Sequence, residues 1–192
     1  MHDLVFATGN PHKLREVQSL LPKGLHIRGL SDIGCLDELP ETHETIPENS
    51  LEKAHYIYLK FGVDCFAEDT GLEVAALGGE PGVHTAHYAD TRDPEANMRK
   101  LLLNLRGKTD RRARFRTVFT LIWQGQIHQF TGIVTGRIAI EPRGTGGFGY
   151  DPIFIPEGAT RTFAEMEPKE KSGMSHRAKA FGRLTDFLAQ RF

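Results

Sequence analysis

Cysteine is scarce. Cys35 and Cys65 are the only two in 192 residues, and both stand in apolar stretches. Neither has a metal-ligand spacing, so they read as buried thiols rather than a disulfide or a metal site. Long hydrophobic runs are missing as well: no apolar stretch approaches the ~20 residues that cross a bilayer, which removes a membrane partner. No signal pattern is present, since Met1-His2-Asp3 leads directly into a strand, and the expectation is a soluble, cytoplasmic protein. Nor does either charge dominate, because 24 Lys and Arg against 25 Asp and Glu leave a net charge of −1. A nearly neutral chain is not a general nucleic-acid binder, and any polyanion it holds must meet local cations or a metal. The ten prolines and twenty glycines are scattered, so no low-complexity linker divides the chain.

With 39% hydrophobic and 26% charged residues, the chain reads as one domain over residues 1–192, with room for two lobes and a real core. Leu4 to Ala7 predicts a buried strand. Thr8-Gly9-Asn10-Pro11 then turns into a helix, with Asn10 suited to the N-cap and Pro11 to the first helical position. Leu14, Val17, Leu20 and Leu21 give that helix its apolar stripe, and Pro22 with Gly24 stops it. Backbone N–H groups at such a start attract anions, and Lys13 lies beside them. No GxxxxGK[ST] loop is present, so alone this is a weak phosphate signal beside a plain helix cap.

Leu25–Leu30 predicts a second strand. Residues 31–47 are polar and read by default as a solvated acidic loop carrying Glu38, Glu41 and Glu44. Ser50–Lys60 predicts a helix, on which Lys53 would ordinarily be solvated. Val63 to Ala67 is a short apolar run that delivers Glu68 and Asp69, with Thr70 and Gly71 next, a pattern that reads as a strand ending in an acidic turn. By alternation Glu68 should point away from Asp69. Gly78-Gly79-Glu80-Pro81-Gly82 keeps the following loop tight. Asp93-Pro94 opens another helix, and Arg111, Arg112, Arg114 and Arg116 look like a basic patch at the start of a long strand over 113–124, with Arg114 and Arg116 better read as a solvated strand face. A Gln124-Gly125 turn joins it to a second strand over 126–140, which argues for antiparallel members in the sheet. Gly144 to Pro152 is a glycine-dense loop in which Phe148 or Tyr150 could face a flat ligand. A last helix begins near Ser175 or His176.

The unusual polar groups sit at strand ends and helix starts, where open α/β proteins bind ligands. Four motifs, FATGNPHKLREV, AEDTGLEVAALGGEPGV, TGGFGYDPIF and EKSGMSHRAKA, come in the order that is found in the inosine triphosphate pyrophosphatase family, and the chain resembles that family over nearly its whole length. The resemblance implies an α/β fold: an elongated mixed sheet flanked by helices, in two lobes with a central active-site cleft, usually as a homodimer. It implies Mg²⁺-dependent hydrolysis of non-standard purine nucleoside triphosphates (ITP, dITP, XTP) to monophosphate and pyrophosphate.

Carried over by position, Thr8, Gly9, Asn10, Pro11, His12 and Lys13 match the triphosphate-binding turn, and Lys53 a lysine that reaches the phosphates. Asp69 matches the metal ligand and proton acceptor, and Glu41 a second metal-associated acid. Thr70 matches a substrate contact. Phe148, Gly149, Tyr150, Asp151, Lys171, His176 and Arg177 match the base-recognition set. One departure is His87, in Thr85-Ala86-His87-Tyr88, where the family often has arginine. Two other readings compete: a pyrophosphatase for other modified or pyrimidine triphosphates, and a nucleic-acid module built on Arg111 to Arg116, which the near-zero charge disfavours.

Overall fold

The structure is a computed structural model that describes residues 2–21 and 24–191. In chain order the strands and helices are β1 (His2–Ala7), α1 (Pro11–Ser19), β2 (Leu25–Arg28), α2 (Ile46–Phe61), β3 (Cys65–Val74), β4 (Pro81–Gly82), α3 (Pro94–Asn104), β5 (Arg112–Trp123), β6 (Gln126–Ile138), β7 (Phe154–Pro156), α4 (Pro168–Met174) and α5 (His176–Ala189). The strands form a mixed sheet in the order β2-β1-β3-β5-β6-β7, with β4 on β3. β1 runs parallel to both β2 and β3, with Phe6 opposite Phe66, whereas β4 on β3 and β7 on β6 are antiparallel. The α/β class with a mixed sheet is as the sequence predicts.

Contacts divide the chain into two compact units: residues 1–69, 117–132 and 177–192, and residues 70–116 and 133–176. In the first, the two-residue period of β1 and β3 sorts side chains onto opposite faces. Leu4, Phe6 and Phe66 meet Val17 of α1 and Phe181, Leu184 and Leu188 of α5. Val5, Ala7, Cys65 and Ala67 meet Ala54 and Ile57 of α2. Phe6 and Phe66 stack with ring centres 4.6 Å apart. The second unit has its own core, in which Leu72, Leu101, Phe115, Ile138, Phe154 and Phe163 are buried together. Both cysteines are free and buried, as expected.

Three boundaries differ from expectation. α2 begins at Ile46 rather than Ser50, because Thr45 caps it: its hydroxyl accepts from the Glu48 N–H, and Pro47 lies in the first turn. Residues 168–174, where the sequence signals no element, form α4, with Pro168 at its start. Glu68 to Gly71 is no turn, since β3 runs straight through it to Val74. Pro22, the expected stop of α1, lies outside the described residues. Among the described residues no helix is long and apolar enough to cross a membrane.

Candidate active site

Alternation along β3 decides what each acid meets. Asp69 shares the face of Cys65 and Ala67, which α2 covers. Glu68 shares the face of Phe66, which α1 and α5 cover. Each covering helix supplies cations. On the α2 side, Lys53 Nζ donates to Asp69 Oδ1 at 3.1 Å and to Glu41 Oε1 at 2.5 Å. On the other side, Lys13 Nζ of α1 lies 2.6 Å from Glu68 Oε1, and Arg177 of α5 donates through Nε to Glu68 Oε2 at 2.8 Å and through Nη1 to Glu16 Oε2 at 2.5 Å.

Lys53 is only 4% exposed, not the solvated helix lysine of the default reading. Burial alone would depress its ammonium; Asp69 and then Glu41 outweigh that and hold it above its ordinary value. Asp69 goes the other way. Burial pushes its carboxyl up, Lys53 and Lys13 pull it back only in part, and Glu41 adds to the rise. Its Oδ2 is buried with no hydrogen-bond partner among the described residues. Glu68 is fully buried, yet Arg177 and Lys13 overcome the cost of burial and hold it far below the usual carboxylate range.

The loop that carries Glu41 is fixed to α2. Glu52 accepts from the Thr42 N–H and hydroxyl at 2.8 Å each, and the Asn49 amide makes two bonds to the His43 backbone. Glu41 itself remains partly exposed while its carboxylate reaches inward. Asp69 and Glu41, bridged by the Lys53 ammonium, are two oxygen donors of the kind a hard divalent cation takes, and among the described residues no group of three or more His, Cys, Asp or Glu is placed to hold a metal ion.

The Thr8–Lys13 turn is as drawn from sequence, with one correction. The amides of His12 and Lys13 are already taken by the Asn10 side chain at 2.9 and 3.3 Å, and the Asn10 N–H by the Thr8 hydroxyl at 3.2 Å. Lys13 is thus the main cation of this turn. Gly9, Pro11 and His12 are exposed beside it.

Arg177, carried over to the base-recognition set, is 1% exposed, and its guanidinium donates to Glu68 and Glu16.

The remaining predicted residues belong to the second unit. Asp151 is buried, and its Oδ2 accepts from the Phe148 N–H at 2.8 Å and from Lys171 Nζ at 2.7 Å. The Lys171 ammonium lies 5.0 Å from the centre of the half-buried Phe148 ring. Gly147 makes this corner possible: its φ is +71°, and a Cβ there would stand 2.0 Å from Asp151 Oδ2. Of the two rings that could face a flat ligand, Tyr150 is the buried one. It is packed in the core, and its hydroxyl donates to the Thr85 carbonyl at 3.0 Å. His176 is buried and stacked on Phe115, with ring centres 4.6 Å apart. Thr70 is half-buried on β3, next to Asp69, and Gly149 follows Phe148 in the loop. His87 is exposed and lies 3.3 Å from His84, ring nitrogen to ring nitrogen.

A scan against protein-family models matches residues 4–187 to the Ham1 family. The chain belongs to the Ham1 family. Among its Ham1 relatives, a protein of Christiangramia forsetii named dITP/XTP pyrophosphatase is 52% identical over 188 residues, covering 97% of this chain and 99% of the relative. One of Bacillus licheniformis with the same name is 43% identical over 195 residues, covering 99% and 100%. The solved Ham1 protein of Staphylococcus aureus superposes with a TM-score of 0.91 at 35% identity, covering 100% of both chains. That of Coxiella burnetii gives 0.92 at 34% identity, covering 99% and 100%. In this Ham1 chain one charged participant escaped the sequence reading, Glu16. Its partner is Arg177, 161 residues on, and no local spacing signals that contact.

Proposed function

We propose that this Ham1 chain is a single pyrophosphatase domain that hydrolyses non-standard purine nucleoside triphosphates, ITP, dITP and XTP, to the monophosphate and pyrophosphate. The observation that carries the reading is Asp69. It is a buried carboxyl pushed upward by burial, kept company by Lys53 and Glu41, with one oxygen that has no hydrogen-bond partner among the described residues. Such an expensive arrangement fits a group with chemistry to perform. The names of the relatives point to dITP and XTP as substrates.

In this reading Asp69 and Glu41 hold Mg²⁺. When bound, the ion neutralises triphosphate charge and polarises phosphorus. Asp69 accepts the proton of the attacking water as its oxygen bonds to the α-phosphorus. The bond from that phosphorus to the bridging oxygen breaks, and the electron pair leaves with pyrophosphate. Lys13 and Lys53 stabilise the charge on the departing group. Thr8, Gly9 and Asn10 shape the turn that presents Lys13. Phe148, Asp151, Lys171 and His176 serve the base. Donors among them and among the loop amides suit a 6-oxo group and leave buried groups unpaired when adenine enters. We further propose a cytoplasmic homodimer.

Purified protein given ITP and Mg²⁺ should release pyrophosphate and IMP, with little turnover of ATP and none in excess EDTA. Orthophosphate as first product would overturn the assignment. A panel that favoured pyrimidine triphosphates would overturn the base preference alone.

A further inference from the structure

We infer that Lys53 is a displaceable plug: its ammonium holds the seat between Glu41 and Asp69 that a divalent cation needs, and passes to the triphosphate when metal and substrate bind. This rests on the reading of Glu41 and Asp69 as the metal-holding pair. Lys53 Nζ lies within hydrogen-bond distance of one oxygen of each carboxylate, 2.5 Å from Glu41 and 3.1 Å from Asp69. Two cations cannot share those oxygens at such range without strong repulsion. Among the described residues the second Asp69 oxygen is buried without a hydrogen-bond partner, so this carboxylate keeps lone pairs to offer even with the ammonium in place.

The parts differ in their freedom to move. Asp69 is fixed in the middle of β3, and the Glu41 loop is pinned through Thr42 and His43 to Glu52 and Asn49 of α2. Lys53 carries its charge on a flexible four-carbon stem, and it can swing its ammonium away without any change in α2. A triphosphate offers that ammonium new anionic oxygens. Metal loading and the grasp of the phosphates then become one exchange of partners. Metal alone should bind weakly, and metal with triphosphate should bind cooperatively.

The test is Mn²⁺ binding followed by electron paramagnetic resonance and calorimetry, with no turnover needed. Lys53→Met should bind Mn²⁺ at least tenfold more tightly than the wild type, and Asp69→Asn should lose binding. Equal or weaker binding in Lys53→Met, with binding still lost in Asp69→Asn, overturns the plug and leaves the metal site standing. Undiminished binding in Asp69→Asn overturns the metal site and the plug with it. Because Lys53→Met leaves two carboxylates without their cation, a second arm uses wild-type protein. With lysine labelled at its ε-carbon by ¹³C, the Lys53 resonance, assigned by its absence in Lys53→Arg, should shift when Mg²⁺ and tripolyphosphate are added. A resonance that stays fixed while calorimetry records metal binding overturns the proposal.

Discussion

Two adjacent carboxylates on one strand have opposite electrostatics, and each fate can be measured. Asp69 has its folded-state pKa raised above the ordinary 3.8. For a group raised on folding, the associated stability is full below the unfolded value and is lost as pH rises through the folded value. At neutral pH the ionised Asp69 therefore costs stability. Asp69→Asn should raise the melting temperature at pH 7, and the gap from the wild type should narrow as pH falls toward 4. Turnover should drop by roughly 10²–10⁴-fold, the range for loss of a general base. A variant that melts lower than the wild type at pH 7, or that keeps full activity, would contradict this account. Glu68 has the reverse sign. Its pKa is depressed from 4.5, so its stabilisation is present above 4.5 and is lost as pH falls through the depressed value. Removing the charge with Glu68→Gln takes from buried Arg177 the carboxylate that its Nε donates to, a loss of about 3–5 kcal/mol by analogy with broken buried pairs. Urea denaturation at pH 7 measures it, and the variant's stability should fall less steeply below pH 4.5 than that of the wild type.

At the scale of elements, the strands and helices are legible where local chemistry decides them. Asn10-Pro11 and Asp93-Pro94 start helices as read, and Gln124-Gly125 makes the turn between β5 and β6 with φ of 50° and 76°. Thr45-Ile46-Pro47-Glu48 is an equally local signal for the start of α2, hidden by the acidic composition around it. The Glu68-Asp69 pair is a different matter. Two neighbouring acids look like the end of a strand, and they continue one here only because Lys13, Lys53 and Arg177 come to them from three helices. Those partners stand far away in the chain, up to 109 residues for Arg177, and no local pattern reports them. The acids and cations were legible one by one as candidates, but which carboxylate meets which cation needed the fold. The Gly144–Asp151 corner gives a prediction at this scale. Gly147→Ala places a Cβ against Asp151 at positive φ, and it should cost about 1–3 kcal/mol. It should also loosen the Asp151–Lys171 pair and raise KM for ITP more than it lowers kcat. A KM unchanged from the wild type would remove this corner from base binding.

At the scale of the molecule, the two units keep separate cores while sharing strands. β3 passes from one to the other after Asp69, β5 after Arg116 and β6 after Gly132. Among the described residues three continuous strands have segments in both. A strand that frays in one unit loses its ladder partners along the same backbone, so the cores should not melt independently. Phe66 anchors the first core and Phe154 the second, and both are fully buried. Phe66→Ala and Phe154→Ala should each cost about 3–5 kcal/mol. Each should lower one common transition, with calorimetric and van't Hoff enthalpies remaining equal. Two resolved transitions in the scanning calorimeter, one moved by each variant, would show instead that the shared strands do not couple the cores.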